Sequence, residues 1–290
     1  MNGVSAGTLM ILGLAGMWRK CNLPALDLRQ GEGKTVFKIL MSLSRTEYKF
    51  VIPIQLRDQL EEKVRRRLEV DRGPGSEGVY PIVSQYYDSP ERDCYWEKIR
   101  RLASRRKIRV RMYGSETAGI PPAAFMEVKH KLNGEGGKRR LQIPVDTARR
   151  FVAGEHGVLR DMLPGASRST RIIINEVFDL VERCGHGPAM QIRYDRCAYT
   201  TADLNFRITF DSDLVCRSGT HALLPDDPAF SDEILARDMV MMEVKSIGSV
   251  PYWFREWAAA ACLCRQSFSK YCTALERHDP TLRKIRCAHT

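Results

Sequence analysis

The tetrapeptide Met-Glu-Val-Lys occurs at Met126 to Lys129 and again at Met242 to Lys245. In an extended chain successive side chains point to opposite faces, so Glu127 and Lys129 share one face, as do Glu243 and Lys245. A carboxylate beside an ammonium can simply neutralise it. The pair can also divide a ligand between them, the ammonium taking a phosphate oxygen and the carboxylate a hard cation that bridges to the same phosphate. The second use needs bases in excess over acids nearby.

The other patterned segments supply that excess. In "RTEYKFVIP" (Arg45 to Pro53), Arg45, Glu47 and Lys49 alternate with Tyr48, Phe50 and Ile52, and in "KIRVRMY" Lys107, Arg109 and Arg111 alternate with Ile108, Val110 and Met112. "FMEVKHK" adds Lys131, "FRITFD" aligns Arg207 with Asp211, and "QIRYDR" adds Arg193. The charged faces together hold Lys49, Arg109, Arg111, Lys129, Lys131, Arg193, Arg207 and Lys245 against Glu47, Glu127, Asp211 and Glu243. Arg and Lys in a partly dry channel hold phosphate oxygens by charge-assisted hydrogen bonds, and the carboxylates tolerate phosphate if Mg²⁺ or Mn²⁺ bridges them.

Two architectures accommodate such strands. A half-buried antiparallel sheet with one face in water is the commoner cause of period-two alternation. Solvated faces, however, mix in Thr, Ser and Gln, whereas these are nearly pure Lys, Arg, Glu and Asp. If the apolar faces instead pack outward against helices, the charged faces line a wet antiparallel β-barrel, an α+β fold with its helices outside. Helix-like segments are present: "IQLRDQLEEKVRRRLEV" places Leu56, Leu60, Val64 and Leu68 on one stripe, and "STRIIINEVFDLVERC" and "PYWFREWAAAACLC" follow.

Each candidate also has a duller use. Glu47, Glu127 and Glu243 have the alternative of membership in a structural ion network, with the metal role preferred most for Glu243, and Asp211 reads as an orienting partner for Arg207. Lys138, Arg139 and Arg140 read as a solvated hairpin end. Arg100, Arg101, Arg105 and Arg106 form a surface cluster without interleaved aromatics, so no nucleic-acid partner is expected. His130 and His186 receive no role.

Composition sets the outer bounds. A chain of 290 residues with 43% hydrophobic content builds one large domain or two small ones, and a net charge of +11 points to a polyanionic partner. Nine cysteines without a CxxC pair read as reduced thiols in a cytoplasmic protein. The apolar run from Val4 to Trp18 falls short of the roughly 20 residues a spanning helix needs, so no transmembrane segment of its own is expected. Patterning begins near Met41, which divides the chain into a leader over 1–40, a main domain over 41–278 and a tail over 279–290.

The ordered set "RTEYKF", "YYDSPERDCYWEKI", "SRRKIRVRMYG", "FMEVKHKLNG", "GKRRLQIP", "IRYDRCAY", "NFRITFD", "MMEVKS" and "SFSKY" resembles the VTC domain, from about Arg45 to Tyr271. That family is the polyphosphate polymerase branch of the triphosphate tunnel metalloenzymes, which also include the CYTH phosphatases and cyclases. The resemblance implies a triphosphate tunnel through an antiparallel barrel, and transfer of the γ-phosphate of ATP to inorganic polyphosphate with Mn²⁺ or Mg²⁺. It implies phosphate contacts from Lys49, Arg109, Arg111, Lys129, Arg193 and Arg207, a further contact from Lys270 of "SFSKY", and Glu243 as principal metal ligand. Arg45 stands where the CYTH pattern has its first Glu, which favours the VTC branch. The regulatory and membrane-spanning parts of eukaryotic relatives have no counterpart, which implies a stand-alone enzyme. A tripolyphosphatase using water as acceptor, a nucleotidyl cyclase and a non-enzymatic polyphosphate-binding module are the alternatives.

Overall fold

The computed structural model describes residues 45–71, 78–115, 119–133 and 135–288. The apolar run from Val4 to Trp18 and the expected leader lie outside them. The elements are β1 (Arg45–Pro53), α1 (Ile54–Arg65), β2 (Glu69–Val70), β3 (Val79–Asp88), α2 (Asp93–Ile99), β4 (Ser104–Ser115), β5 (Ile120–Leu132) and β6 (Glu135–Ile143). There follow α3 (Val145–Val152), α4 (Arg168–Phe178), β7 (Gly187–Thr200), β8 (Phe206–Ser218), β9 (Asp232–Glu233), β10 (Met239–Ile247), α5 (Tyr252–Ala260), α6 (Lys270–His278) and α7 (Pro280–Ala288).

All the strand pairs are antiparallel, in the order β1-β10-β8-β7-β3-β4-β5-β6, with β2 beside β7 and β9 beside β8. The convex face is apolar and covered by helices. Phe50, Ile52, Ile208, Phe210, Met242 and Val244 pack with Leu60 and Val64 of α1 and Phe254 and Trp257 of α5. Ile108, Val110, Met112, Met126 and Val128 pack with Phe151 of α3 and Ile173, Ile174 and Val177 of α4. The charged residues of the same strands are thereby turned to the concave side.

One expectation is corrected. The sheet curls but is not closed: β1 and β6 end the strand order and do not pair. Part of the free edge of β1 is taken by the segment after α5, where the Gln266 N–H donates to the Lys49 carbonyl at 2.9 Å. That segment is not helical, contrary to the apolar pattern through Cys264: the helix ends at Ala260, and Cys262 adopts φ +49°, which no right-handed helix admits. A glycine is required at Gly114, where β4 and β5 shift register at φ +82° and a Cβ would lie 2.6 Å from the Pro121 carbonyl oxygen.

Inside the curl, one end is dry. Ile82, Ile192, Leu214 and Cys216 of the concave face pack with Tyr95 of α2 and Cys272, Ala274 and Leu275 of α6. Strand β8 reaches this packing through a bulge: the register passes from Arg193↔Val215 to Asp195↔Ser212, so Asp213 and Leu214 together oppose Tyr194. Asp213 takes φ +48°, a conformation that Asp tolerates better than most residues.

Candidate phosphate-binding cavity

The remainder of the concave side is a cavity of about 310 Å³. Its lining brings together Glu47 and Lys49 from β1, Lys107, Arg109 and Arg111 from β4, Lys129 and Lys131 from β5, Glu243 and Lys245 from β10, and Lys270 from α6. Among the described residues the lining holds eleven Lys and Arg side chains and two carboxylates.

The arginines are fixed before any ligand arrives. Arg111 is 5% exposed and donates from Nε to the Ser84 hydroxyl at 3.0 Å, with its guanidinium 5.7 Å over the Tyr113 ring. Arg109 donates from Nη1 to the Tyr86 hydroxyl at 2.9 Å, and its Nε and Nη2 both stand 2.6 Å from Oε2 of Glu127. Burial opposes ionisation of the Tyr86 phenol, yet Arg109 and Arg111 outweigh it and bring the group down to about 8. Tyr86 also stacks on Tyr271 at 5.3 Å, which gives that wall a rigid aromatic backing.

Glu127 is placed differently from the other two candidate metal ligands. It is 1% exposed and does not line the cavity, and its carboxylate is gripped by Arg109, by Lys138 at 3.1 Å and by Arg140 at 3.4 Å. Burial would raise the carboxyl, but Arg109, Arg111 and Lys138 hold it far below the ordinary carboxylate range. Lys138 and Arg140 are thus anchors of β6, and Arg139 bonds Glu176 of α4, so this run is more than a solvated hairpin end.

Glu243 and Glu47 are arranged otherwise. The Glu243 carboxylate lies against Lys245 through Oε1, and its Oε2 is 3.9 Å from Lys49, whose Nζ also lies 3.1 Å from Glu47. Burial would raise the Glu243 carboxyl, but Lys245 and Lys49 hold it well below its usual value. Two hard-oxygen donors that repel each other and share one lysine fit a divalent cation, which would relieve the repulsion. The fit rests on Glu243 and Glu47; Glu127 is already saturated.

Arg193 does not join the cavity. It lies on the other face of β7, opposite Val83, and donates from Nε to the Pro225 carbonyl at 2.8 Å. Three residues along, Arg196 lines the cavity together with Tyr194. Asp211 is bonded to Arg196 and Lys270, whereas Arg207 is held by Asp71 at 2.7 Å on the cavity-facing side of β8, beyond the lining. Burial brings Lys270 down to about 8 in spite of Asp211.

Sequence reasoning missed Arg196, Tyr86, Tyr194 and the further lining bases Lys98 and Arg105. Of the surface arginine cluster, Arg105 lines the cavity and Arg106 bonds Asp179 at 3.1 Å. Elsewhere, Asp88, Cys94 and His186 bring ligand atoms within 4.8 Å of one another in the interior. Asp88 there accepts the backbone N–H groups of Ser89 and Cys94 and the Tyr271 hydroxyl, which makes it the anchor of the α2 start. Among the described residues no helix is long and apolar enough to cross a membrane.

The curled antiparallel sheet thus carries helices on its convex side and a strongly basic cavity on its concave side. The VTC domain model matches residues 44–278, and the chain belongs to the VTC-domain family. No curated protein matches it significantly. A Hippeastrum candidate adenylyl cyclase, described as having a dominant triphosphatase activity, is similar at 11% identity with a TM-score of 0.46, over 79% of this chain and 94% of that one. A candidate adenylate cyclase from Vibrio parahaemolyticus is similar at 11% identity with a TM-score of 0.39, over 78% and 94% of the two chains. A conserved protein from Pyrococcus furiosus is similar at 14% identity with a TM-score of 0.33, over 76% and 88%. These low values bear no conclusion about chemistry.

Proposed function

We propose that the protein is a cytoplasmic ATP–polyphosphate phosphotransferase that extends inorganic polyphosphate within this cavity. The observation that carries the reading is the imbalance of eleven bases against two carboxylates around about 310 Å³, a charge density suited to several phosphates in a row. The bond between the γ-phosphorus and the bridging oxygen of ATP breaks, ADP leaves, and a new bond forms to a terminal oxygen of the chain.

That acceptor oxygen is already anionic, so no side chain has to remove a proton. The work left to the protein is alignment and charge compensation. Arg109 and Arg111 are suited to it because Glu127, Ser84, Tyr86 and Tyr113 fix their guanidinium planes, leaving little reorganisation for the reaction. Lys49, Lys129, Lys131, Lys245 and Lys270 supply point charges from three strands and a helix. A divalent cation, Mn²⁺ or Mg²⁺, held by Glu243 with Glu47 beside it, would supply neutralisation of the phosphate oxygens.

The test is incubation of purified protein with ATP and Mn²⁺, followed by analysis of all phosphorus-containing products. Long polyphosphate with stoichiometric ADP is expected. Free phosphate alone would establish a hydrolase, a cyclic nucleotide a cyclase, and unconsumed ATP with tight polyphosphate binding a binding module.

A further inference from the structure

Thr209 lies on β8 between Arg207 and Asp211, on the cavity-facing side, and its register partners are Glu243 on β10 and Ala198 on β7. It is 1% exposed, and its hydroxyl oxygen has no hydrogen-bond partner among the described residues. Leaving a buried hydroxyl unpartnered costs about 1–3 kcal/mol. Valine has the same shape and branching and would suit a strand at least as well. A threonine here is therefore unfavourable in the arrangement the structure shows, and a bond formed in another state would offset it.

The neighbour able to provide it is Glu243. Residues directly opposite on antiparallel strands have Cβ atoms about 4.5–5.5 Å apart, within reach of a hydroxyl and a longer carboxylate. In the structure that carboxylate is engaged by Lys245 and, more loosely, by Lys49. A divalent cation on one Glu243 oxygen would displace the Lys245 ammonium and leave the other oxygen seeking a donor. We infer that Thr209 is a positioning residue for the cation site, donating its hydroxyl proton to Glu243 when the cation is bound. The inference rests on the reading of Glu243 as cation ligand.

The experiment compares the parent protein with Thr209→Val, Thr209→Ser and Glu243→Gln. Mn²⁺ binding is followed by the electron paramagnetic resonance of free Mn²⁺ without nucleotide, and thermal unfolding is measured in chelator. A hydrogen bond to a charged group is worth about 1.5–3 kcal/mol, so Thr209→Val is expected to bind Mn²⁺ at least tenfold more weakly. It should unfold in chelator at the parent's temperature or above it, and Thr209→Ser should keep the parent's affinity. Parental Mn²⁺ affinity in Thr209→Val, or a lowered unfolding temperature in chelator, overturns the inference while Glu243 stands. A parent that binds Mn²⁺ no better than Glu243→Gln overturns the cation reading and the inference with it.

Discussion

Arg196 and Asp211 form a bidentate pair across β7 and β8, Nε to Oδ1 at 2.7 Å and Nη2 to Oδ2 at 2.8 Å, with the carboxylate wholly buried. Lys270 joins them on Oδ2. One carboxylate thus holds two cations at the cavity wall, and removing its charge leaves both without a partner. Asp211→Asn is expected to cost about 3–5 kcal/mol in urea unfolding at neutral pH, and tripolyphosphate should restore more stability to the variant than it adds to the parent. Burial would raise the Asp211 carboxyl, but Arg196 and Lys270 lower it to about 2. Its contribution is therefore full above the ordinary carboxylate value and lost as pH falls toward about 2, so the variant should lack that acid limb.

The alkaline side turns on Lys270 and Tyr86, both brought to about 8. As pH rises through that value the lysine loses its charge and the phenol gains one, and both changes make the cavity less positive. Tripolyphosphate affinity measured by calorimetry between pH 6.5 and 9.5 should fall above about 8. Stability should move the other way: above pH 8 the unfolded chain still holds protons that the folded one has released, so the ligand-free protein gains stability with pH. Tyr86→Phe should remove the phenol's share of both effects.

Glu243→Gln should fold and bind nucleotide much as the parent does, because Lys245 and Lys49 remain about a fifth exposed and water can solvate them. Turnover that depends on Mn²⁺ is a different matter, since an amide is a poor ligand for a hard cation. A fall of about a hundredfold or more in polyphosphate formation is expected, the scale of several kcal/mol of lost charge stabilisation. A rate and metal dependence equal to the parent's would return Glu243 to a purely structural ion network.

Arg193→Ala should leave tripolyphosphate affinity unchanged, because the guanidinium bonds the Pro225 carbonyl on the face away from the cavity. Arg109→Ala, by contrast, should weaken binding by roughly tenfold or more, the worth of a hydrogen bond to a charged group. Parallel titrations of the two variants decide between the two faces of their strands.

The period-two alternation of β1, β4, β5 and β10 made their charged faces legible, because each strand keeps one side on a helix-packed core along its length. In β7 the same rule misleads. Ile192 and Tyr194, which flank Arg193, both turn inward, Ile192 onto the dry packing of α6 and Tyr194 beneath Lys270 at 4.6 Å. Arg196 was therefore passed over for Arg193. Glu127 and Glu243 occupy the same tetrapeptide, and only the cross-strand neighbours, Arg140 beside one and Thr209 beside the other, give them different surroundings. The open edge between β1 and β6 has no signature in either strand, since it depends on a segment more than two hundred residues after β1.

The bulge at Asp213 acts on β8 as a change of reading frame acts on a message. Before it, odd-numbered residues such as Arg207, Thr209 and Asp211 turn to the concave side of the sheet; after it, even-numbered Leu214 and Cys216 do, within the dry packing. Excising that one residue would not leave a local scar. It would turn one half of the strand over relative to the other, setting apolar side chains where the ionic floor belongs or charges inside the dry plug.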